Sequence, residues 1–164
     1  MSKTMMCPGC GLILPSVEEQ LDDRYNASSA CRQLYGELTA YTLSLRDADF
    51  IQQFAVDTYA AQHAGAVVKP IGITFALVGL YLACEHHYTG RQVQKAHMLL
   101  ARTPKQWPRF RLPEAKASLT VLDVLNAPEQ ERNDMLREWA KAVWSSWESE
   151  HTKVAEFVQE RLHV

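Results

Sequence analysis

Cys7-Pro8-Gly9-Cys10-Gly11 is the stretch around which the chain is organised. Two thiols two residues apart on a tight turn can bind one metal ion from the same side, because the turn directs both sulfurs inward. Glycine permits the positive φ that such a turn needs, and proline restricts the first bend. This knuckle is half of a tetrahedral zinc site. No second Cys-x-x-Cys follows it, so the other two ligands must come from elsewhere in the chain.

The composition is that of an ordinary globular protein. The chain has 164 residues, of which 47% are hydrophobic and 22% charged, with a net charge of -2. A nearly balanced charge gives no reason to expect binding to nucleic acid or to an acidic membrane surface. The longest apolar run, residues 71–84, is shorter than the roughly 20 residues that span a bilayer. No apolar leader precedes Cys7, and four unevenly spaced cysteines favour reduced thiols, so we expect a cytoplasmic protein.

Apolar residues recur at helical spacing along most of the chain, and no stretch alternates as a strand does. The pattern predicts an all-α fold, a helical bundle of about five main helices with an N-terminal zinc-knuckle arm. We expect a single helical domain over residues 1–164. Its expected parts are the metal-knuckle arm 1–27, a helical core 28–101, a long proline-containing loop 102–118 and the C-terminal helices 119–164.

Capping residues set the expected helix boundaries. Thr89 with Gln92, and Thr120 with Asp123, fit capping boxes, in which each side chain satisfies a free N–H of the first turn. A serine at 28 or 29 can cap the first helix, and an aspartate at 47 the second. The expected helices span about 29–45, 48–64, 71–85 and 90–101, a short stretch after 120, and a long segment from Asn126 onward with a break near 150.

Several residues compete for the two remaining metal positions. Cys31 is the best thiol alternative, because the first turn of a helix favours a thiolate. His97 lies on the apolar side of its helix, where a histidine bonded to a carbonyl is the simpler interpretation. His63 and His151 are better placed, since each lies on a heavily apolar helix where an imidazole without partners would be costly to bury.

Three segments together resemble an uncharacterised bacterial family, a domain of unknown function. They are the Cys-Pro-x-Cys-Gly knuckle, residues 56–65 (VDTYAAQHAG), and residues 143–147 (VWSSW) followed by His151. The family pattern has alanine at Thr58 and proline at Ala64, and neither departure touches a potential ligand. The resemblance implies no known activity. It favours one ligand set for Zn²⁺ over the alternatives above: Cys7, Cys10, His63 and His151.

The number of protein ligands separates two functional hypotheses. Four ligands would close a tetrahedral zinc and make it structural, in a protein with a binding or regulatory role. Three would leave a position for water, as in a metal-dependent hydrolase or thiol transferase, for which DinB-like bundles are an analogy of architecture. In such an enzyme Asp57 or Glu37 would orient a ligand or act as the general base, and Tyr59 would donate to the substrate.

We favour the structural role, with a small molecule or a protein as the unidentified partner. The loop residues 102–111 mix basic and aromatic side chains as nucleic-acid-binding loops do. A solvated loop whose aromatic residues pack on the bundle is the simpler interpretation, so neither nucleic acid nor a membrane is an expected partner.

Overall fold

The computed structural model describes residues 3–164 and confirms the helical fold class. Those residues form a two-stranded sheet and seven α-helices: β1 (Thr4–Met6), β2 (Ile13–Pro15), α1 (Ser29–Ser44), α2 (Gln52–Gln62), α3 (Pro70–Glu85), α4 (Gly90–Leu100), α5 (Val121–Asn126), α6 (Arg132–Ser146) and α7 (His151–Leu162). Single 3₁₀ turns at Glu129–Glu131 and Glu148–Glu150 precede α6 and α7. None of the helices described is long and apolar enough to cross a membrane.

The N-terminal arm contains a β-hairpin that the sequence pattern did not predict. β1 and β2 pair antiparallel with Met5 opposite Leu14, and the cysteine knuckle forms the connection between them. The N–H of Cys7 donates to the carbonyl of Leu12 at 2.7 Å, and that of Gly11, where φ is 83°, donates to the carbonyl of Cys7 at 2.9 Å. Strands of three residues are too short to show an alternating pattern, which is why the hairpin is not visible in the sequence.

Three of the predicted helix caps are present. Ser28 caps α1, and both capping boxes form, Thr89 with Gln92 at α4 and Thr120 with Asp123 at α5. Each cap satisfies N–H groups that have no partner inside the helix, so these three helices begin where the sequence indicates.

α2 is shorter than the predicted helix over 48–64. Phe50 has a φ of 52°, which is incompatible with a helix that begins at residue 48. The carboxylate of Asp47 accepts the N–H of Ile51 at 3.2 Å and so supports the turn before α2 instead. At the other end His63 leaves helical geometry, with φ -109° and ψ 30°. His63 is therefore the C-cap residue of α2 and not part of its interior.

The C-terminal segment is broken near residue 150 as expected, but it begins later than predicted. Asn126 is the last residue of α5 and does not cap α6. Ala127 is extended, with ψ near 147°, because a residue before proline is disfavoured in helical geometry. Pro128 follows with ψ near 144°.

α2 lies at the centre of the bundle and packs against α1, α3, α4 and α6. Gly79 makes the close approach of α3 possible, because a Cβ at that position would overlap the carboxylate of Asp57 on α2. Trp139 of α6 is fully buried, and its indole N–H donates to the Gln62 side chain at 3.0 Å. These contacts fix the C-terminal end of α2, and with it His63.

Candidate metal centre

Three cysteines and one histidine converge at the C-terminal end of α2: Cys7, Cys10, Cys31 and His63. Their ligand atoms all lie within 4.8 Å of one another, and no side chain of the four is more than 5% exposed. The hairpin connection provides two of them, the first turn of α1 the third, and the C-cap of α2 the fourth. We call this group the Cys₃His cluster.

Two donor distances inside the cluster match those expected around a tetrahedral metal ion. The sulfurs of Cys10 and Cys31 are 3.8 Å apart, and the Cys31 sulfur lies 3.5 Å from Nε2 of His63. Around a tetrahedral zinc with Zn–S of about 2.3 Å and Zn–N of about 2.0 Å, two sulfurs would be about 3.8 Å apart and a sulfur and a nitrogen about 3.5 Å. Three thiolates and one imidazole are also a donor set that structural zinc sites use. The cluster could therefore hold a metal ion.

Backbone amides of the knuckle favour the ionised form of its thiols. The amide of Cys10 helps to lower the pKa of Cys7, and the amide of Leu12 opposes the rise in the pKa of Cys10. Hydrogen bonds to the charged form favour it, so this turn stabilises thiolates.

Ionisation of one thiol in the cluster opposes ionisation of its neighbours. Hydrogen bonds with Cys10 and Cys31 lower the pKa of Cys7. Interaction with Cys10 and Cys7, together with burial, raises the pKa of Cys31. Contact with Cys31 lowers the pKa of Cys10, but contact with Cys7 and burial outweigh it and raise that pKa to about 11. A divalent cation would remove the repulsion between neighbouring thiolates in this buried site.

His63 is held with one ring nitrogen towards the sulfurs. Its Nδ1 lies 2.8 Å from the carbonyl oxygen of Tyr59, so Nδ1–H donates there and Nε2 keeps its lone pair for a ligand. Its ring stacks on the ring of Tyr59, with centroids 3.9 Å apart. A Cβ at Gly9 would come within 2.5 Å of Cδ2 of the imidazole, so only glycine allows the knuckle to approach this closely.

Cys31 is positioned by the start of α1. Its N–H donates to the side-chain oxygen of Ser28 at 3.2 Å, which places the thiol in the first helical turn, where the helix dipole favours a thiolate. The hydroxyl of Tyr59 donates to its sulfur at 3.4 Å. The position of Cys31 in the first helical turn and the hydroxyl of Tyr59 both favour a negatively charged sulfur.

The structure brings together three of the four ligands named from the sequence, and Cys31 takes the position assigned to His151. His151 lies at the start of α7, outside the Cys₃His cluster. Its ring stacks on Trp144 with centroids 3.8 Å apart, and its Nε2 lies 2.7 Å from the carbonyl oxygen of Trp144. The break at residues 147–150 explains the difference, because it turns His151 back onto the end of α6.

Of the three residues considered as base or donor, only Tyr59 touches the cluster. Asp57 is buried against Gly79, and its Oδ1 accepts from the side chain of Gln53 at 3.2 Å. Glu37 is exposed on α1. Neither carboxylate orients His63, and the backbone carbonyl of Tyr59 takes that role instead.

His97, the other alternative ligand, is hydrogen-bonded to a backbone carbonyl, as expected from its place on the apolar side of its helix. Its Nε2 lies 2.8 Å from the carbonyl oxygen of Phe75, and its Nδ1 lies 3.4 Å from the side chain of Gln53. Burial lowers the pKa of His97 to about 4, although the bond to Phe75 opposes the shift.

The long loop reaches the knuckle through Lys116. Its ammonium donates to the carbonyls of Pro8 and Gly9 at 2.7 and 3.0 Å. Three thiolates and one divalent cation would leave a net charge of about -1, and a nearby ammonium offsets part of it. Lys116 therefore anchors the knuckle and would offset part of the charge of a metal-loaded centre.

A groove lies on the outer side of the knuckle. Its nearer part, of about 240 Å³, is lined by Pro8, Gly9, Gln62 and Trp147 among others, and it continues between residues 111–118 and the end of α6 as a cavity of about 550 Å³. The indole Nε1 of Trp147 is buried without a hydrogen-bond partner in residues 3–164. The four residues of the Cys₃His cluster do not line the groove, so they lie behind its wall.

The fold and the cluster define a helical protein with a buried cysteine and histidine site that could hold a metal ion. The chain belongs to DUF5946, a family of unknown function, which it matches over residues 5–148. This match includes all four residues of the Cys₃His cluster and ends before His151. No curated protein and no solved structure matches the chain.

Proposed function

We propose that the Cys₃His cluster binds one zinc ion and that the ion has a structural role. The observation that supports this most strongly is the convergence of four buried donor atoms within 4.8 Å of one another. Four protein donors complete a tetrahedral shell and leave no position for water or substrate, which is the arrangement of structural zinc sites.

The hairpin needs such an anchor. Its strands have three residues each and are largely exposed, and a two-stranded hairpin of that size has little stability of its own in water. Binding one zinc ion would tie the hairpin to the start of α1 and the end of α2, and metal binding contributes directly to folding free energy.

The proposed biological role is that of a binding or regulatory protein. The knuckle forms one wall of the groove lined by Gln62 and Trp147, so an ion that fixes the knuckle also fixes the shape of the groove. The indole N–H of Trp147 has no hydrogen-bond partner in the described part of the chain, and it is the kind of group that a polar partner could satisfy. A thiol-rich site suits a reducing compartment, in keeping with the expected cytoplasmic location.

A metal-dependent enzyme is the less supported alternative. It would need one of the four donors to leave the ion, and all four are buried and held by neighbouring groups. An open site of that kind would lose its metal to a chelator without loss of the fold.

Metal analysis and chelation test the proposal together. The full chain, purified without added metal, is expected to contain about one zinc per molecule when measured by inductively coupled plasma mass spectrometry. Removal of that zinc by a strong chelator is expected to lower the thermal unfolding temperature and to change the near-ultraviolet circular dichroism of the tyrosines stacked at the cluster.

Re-addition of zinc should restore both signals. A chain that purifies without a stoichiometric metal, or that loses zinc with no change in unfolding temperature, would contradict the structural role. The second result would favour an open, catalytic site.

A further inference from the structure

A second cavity, of about 280 Å³, lies between α2, α3 and α6, away from the Cys₃His cluster. Its walls are mainly apolar and include Phe54, Ala83, Tyr88 and Ala140. Phe54 and His63 are nine residues apart along α2, which corresponds to about 14 Å, so the cavity and the candidate metal centre are separate.

The charged side chains that line this cavity are all basic. Arg137 and Lys141 of α6 form one side, and His87 adds a third group that can carry a positive charge. Arg137 and Lys141 are four residues apart and so lie on the same face of the helix, one turn from each other. Two like charges at this spacing repel one another, and an anion between them would relieve the repulsion.

Among residues 3–164, no carboxylate on the cavity lining offsets this positive charge. Arg137 pairs with Asp134 and Lys141 with Glu138, each at 3.4 Å, but both carboxylates are more than half exposed and neither lines the cavity. Exposed pairs of this kind are weak and leave the cations available. Cys84 also lines the cavity, and burial raises its pKa to about 11, so the thiol is neutral at neutral pH.

We propose that this cavity binds a small organic anion, with a carboxylate at Arg137 and Lys141 and an apolar body against Phe54, Ala83 and Ala140. Apolar walls with a few convergent polar groups are the usual composition of a ligand site. The cavity volume is close to the lower limit for such sites, which is about 300 Å³. A cavity of this size suits a monocarboxylate with a short aliphatic or aromatic body.

Octanoate is the probe, titrated into the zinc-loaded full chain by calorimetry. Binding is expected, and octylamine, which has the same body and the opposite charge, should bind at least tenfold more weakly. Arg137→Gln and Lys141→Gln should each weaken octanoate binding about threefold or more, and the double variant about tenfold. Lys95→Gln, which removes an exposed lysine on α4, is the matched control and should leave the affinity unchanged.

Cys84 provides a local readout, because it is the cysteine of the four that lies in this cavity and outside the Cys₃His cluster. Saturating octanoate should slow the alkylation of Cys84 at least threefold, as measured by peptide mass spectrometry. Absence of octanoate binding, equal binding of octylamine, unchanged affinity in the Arg137 and Lys141 double variant, or no protection of Cys84 would each overturn the proposal.

Discussion

The sulfur of Cys31 lies 3.5 Å from Nε2 of His63, which joins the first turn of α1 to the end of α2. The hairpin then adds the sulfurs of Cys7 and Cys10 on the same side. The hairpin is short, α1 begins at the cluster and α2 ends there. The cluster is therefore the place where the N-terminal hairpin is attached to the bundle.

Replacing Cys31 by serine is expected to abolish stoichiometric zinc binding. The variant should also lose about 4 kcal/mol or more of unfolding free energy, the range that loss of a metal site produces. Elemental analysis and denaturant unfolding measure the two effects. Cys84→Ser is the matched control, since Cys84 lies outside the cluster, and it should retain zinc with a change in stability of less than about 1 kcal/mol. Equal zinc content in both variants would exclude Cys31 as a ligand.

Replacing His151 by alanine is expected to leave the zinc content unchanged. The variant loses the stack on Trp144 and the bond to its carbonyl, which together should cost about 1–2 kcal/mol of stability. His63→Ala, measured in parallel, should lose the metal. Loss of zinc from the His151 variant, with His63→Ala still loaded, would reverse the assignment of these two histidines.

Two glycines in helices should respond to alanine in opposite directions. A Cβ at Gly79 would overlap the carboxylate of Asp57, so Gly79→Ala should destabilise the protein by about 2 kcal/mol or more. At Gly36 on α1 a Cβ would meet no other described part of the chain within 4 Å, so Gly36→Ala should stabilise the protein by about 0.5–1 kcal/mol. Urea unfolding of both variants checks this contrast, and a neutral Gly79→Ala would contradict the close packing of α2 and α3.

The lowered pKa of His97 predicts a loss of stability in acid. Between pH 6.5 and about 4 the unfolded chain binds a proton at this residue and the folded protein does not, so the free energy of unfolding falls as the pH falls through that window. Once the pH is below both pKa values, the loss of unfolding free energy due to His97 reaches about 3 kcal/mol. His97→Gln should lack this contribution, and its stability relative to the wild type should therefore improve on acidification from pH 8 to pH 4.5. The same pH slope in both proteins would contradict a buried, neutral His97.

Much of the fold follows from local sequence signals. The capping residues Ser28, Thr89 and Thr120 each sit where their helices begin, because capping depends on a few neighbouring residues. The hairpin could not be predicted, since strands of three residues carry no periodic signal. The predicted start of α2 was wrong because the backbone geometry of Phe50 has no marker in the sequence.

The candidate site was predictable in part for a different reason. The knuckle is recognisable from the spacing of its cysteines. His63 is recognisable from its position on a heavily apolar stretch with helical spacing. The fourth position depends on which helix ends meet in space, and local patterns do not contain that information. Cys31 did have a signal, its place three residues after the cap Ser28, whereas the apolar seam that favoured His151 is interrupted by the turn Glu148–Glu150.

X-ray absorption at the zinc edge of the purified, zinc-loaded chain would identify the atoms bound to the ion. We expect three sulfur neighbours at about 2.3 Å and one nitrogen neighbour at about 2.0 Å. Two sulfur and two nitrogen neighbours, or a shell that includes a water oxygen, would contradict a closed site made by Cys7, Cys10, Cys31 and His63.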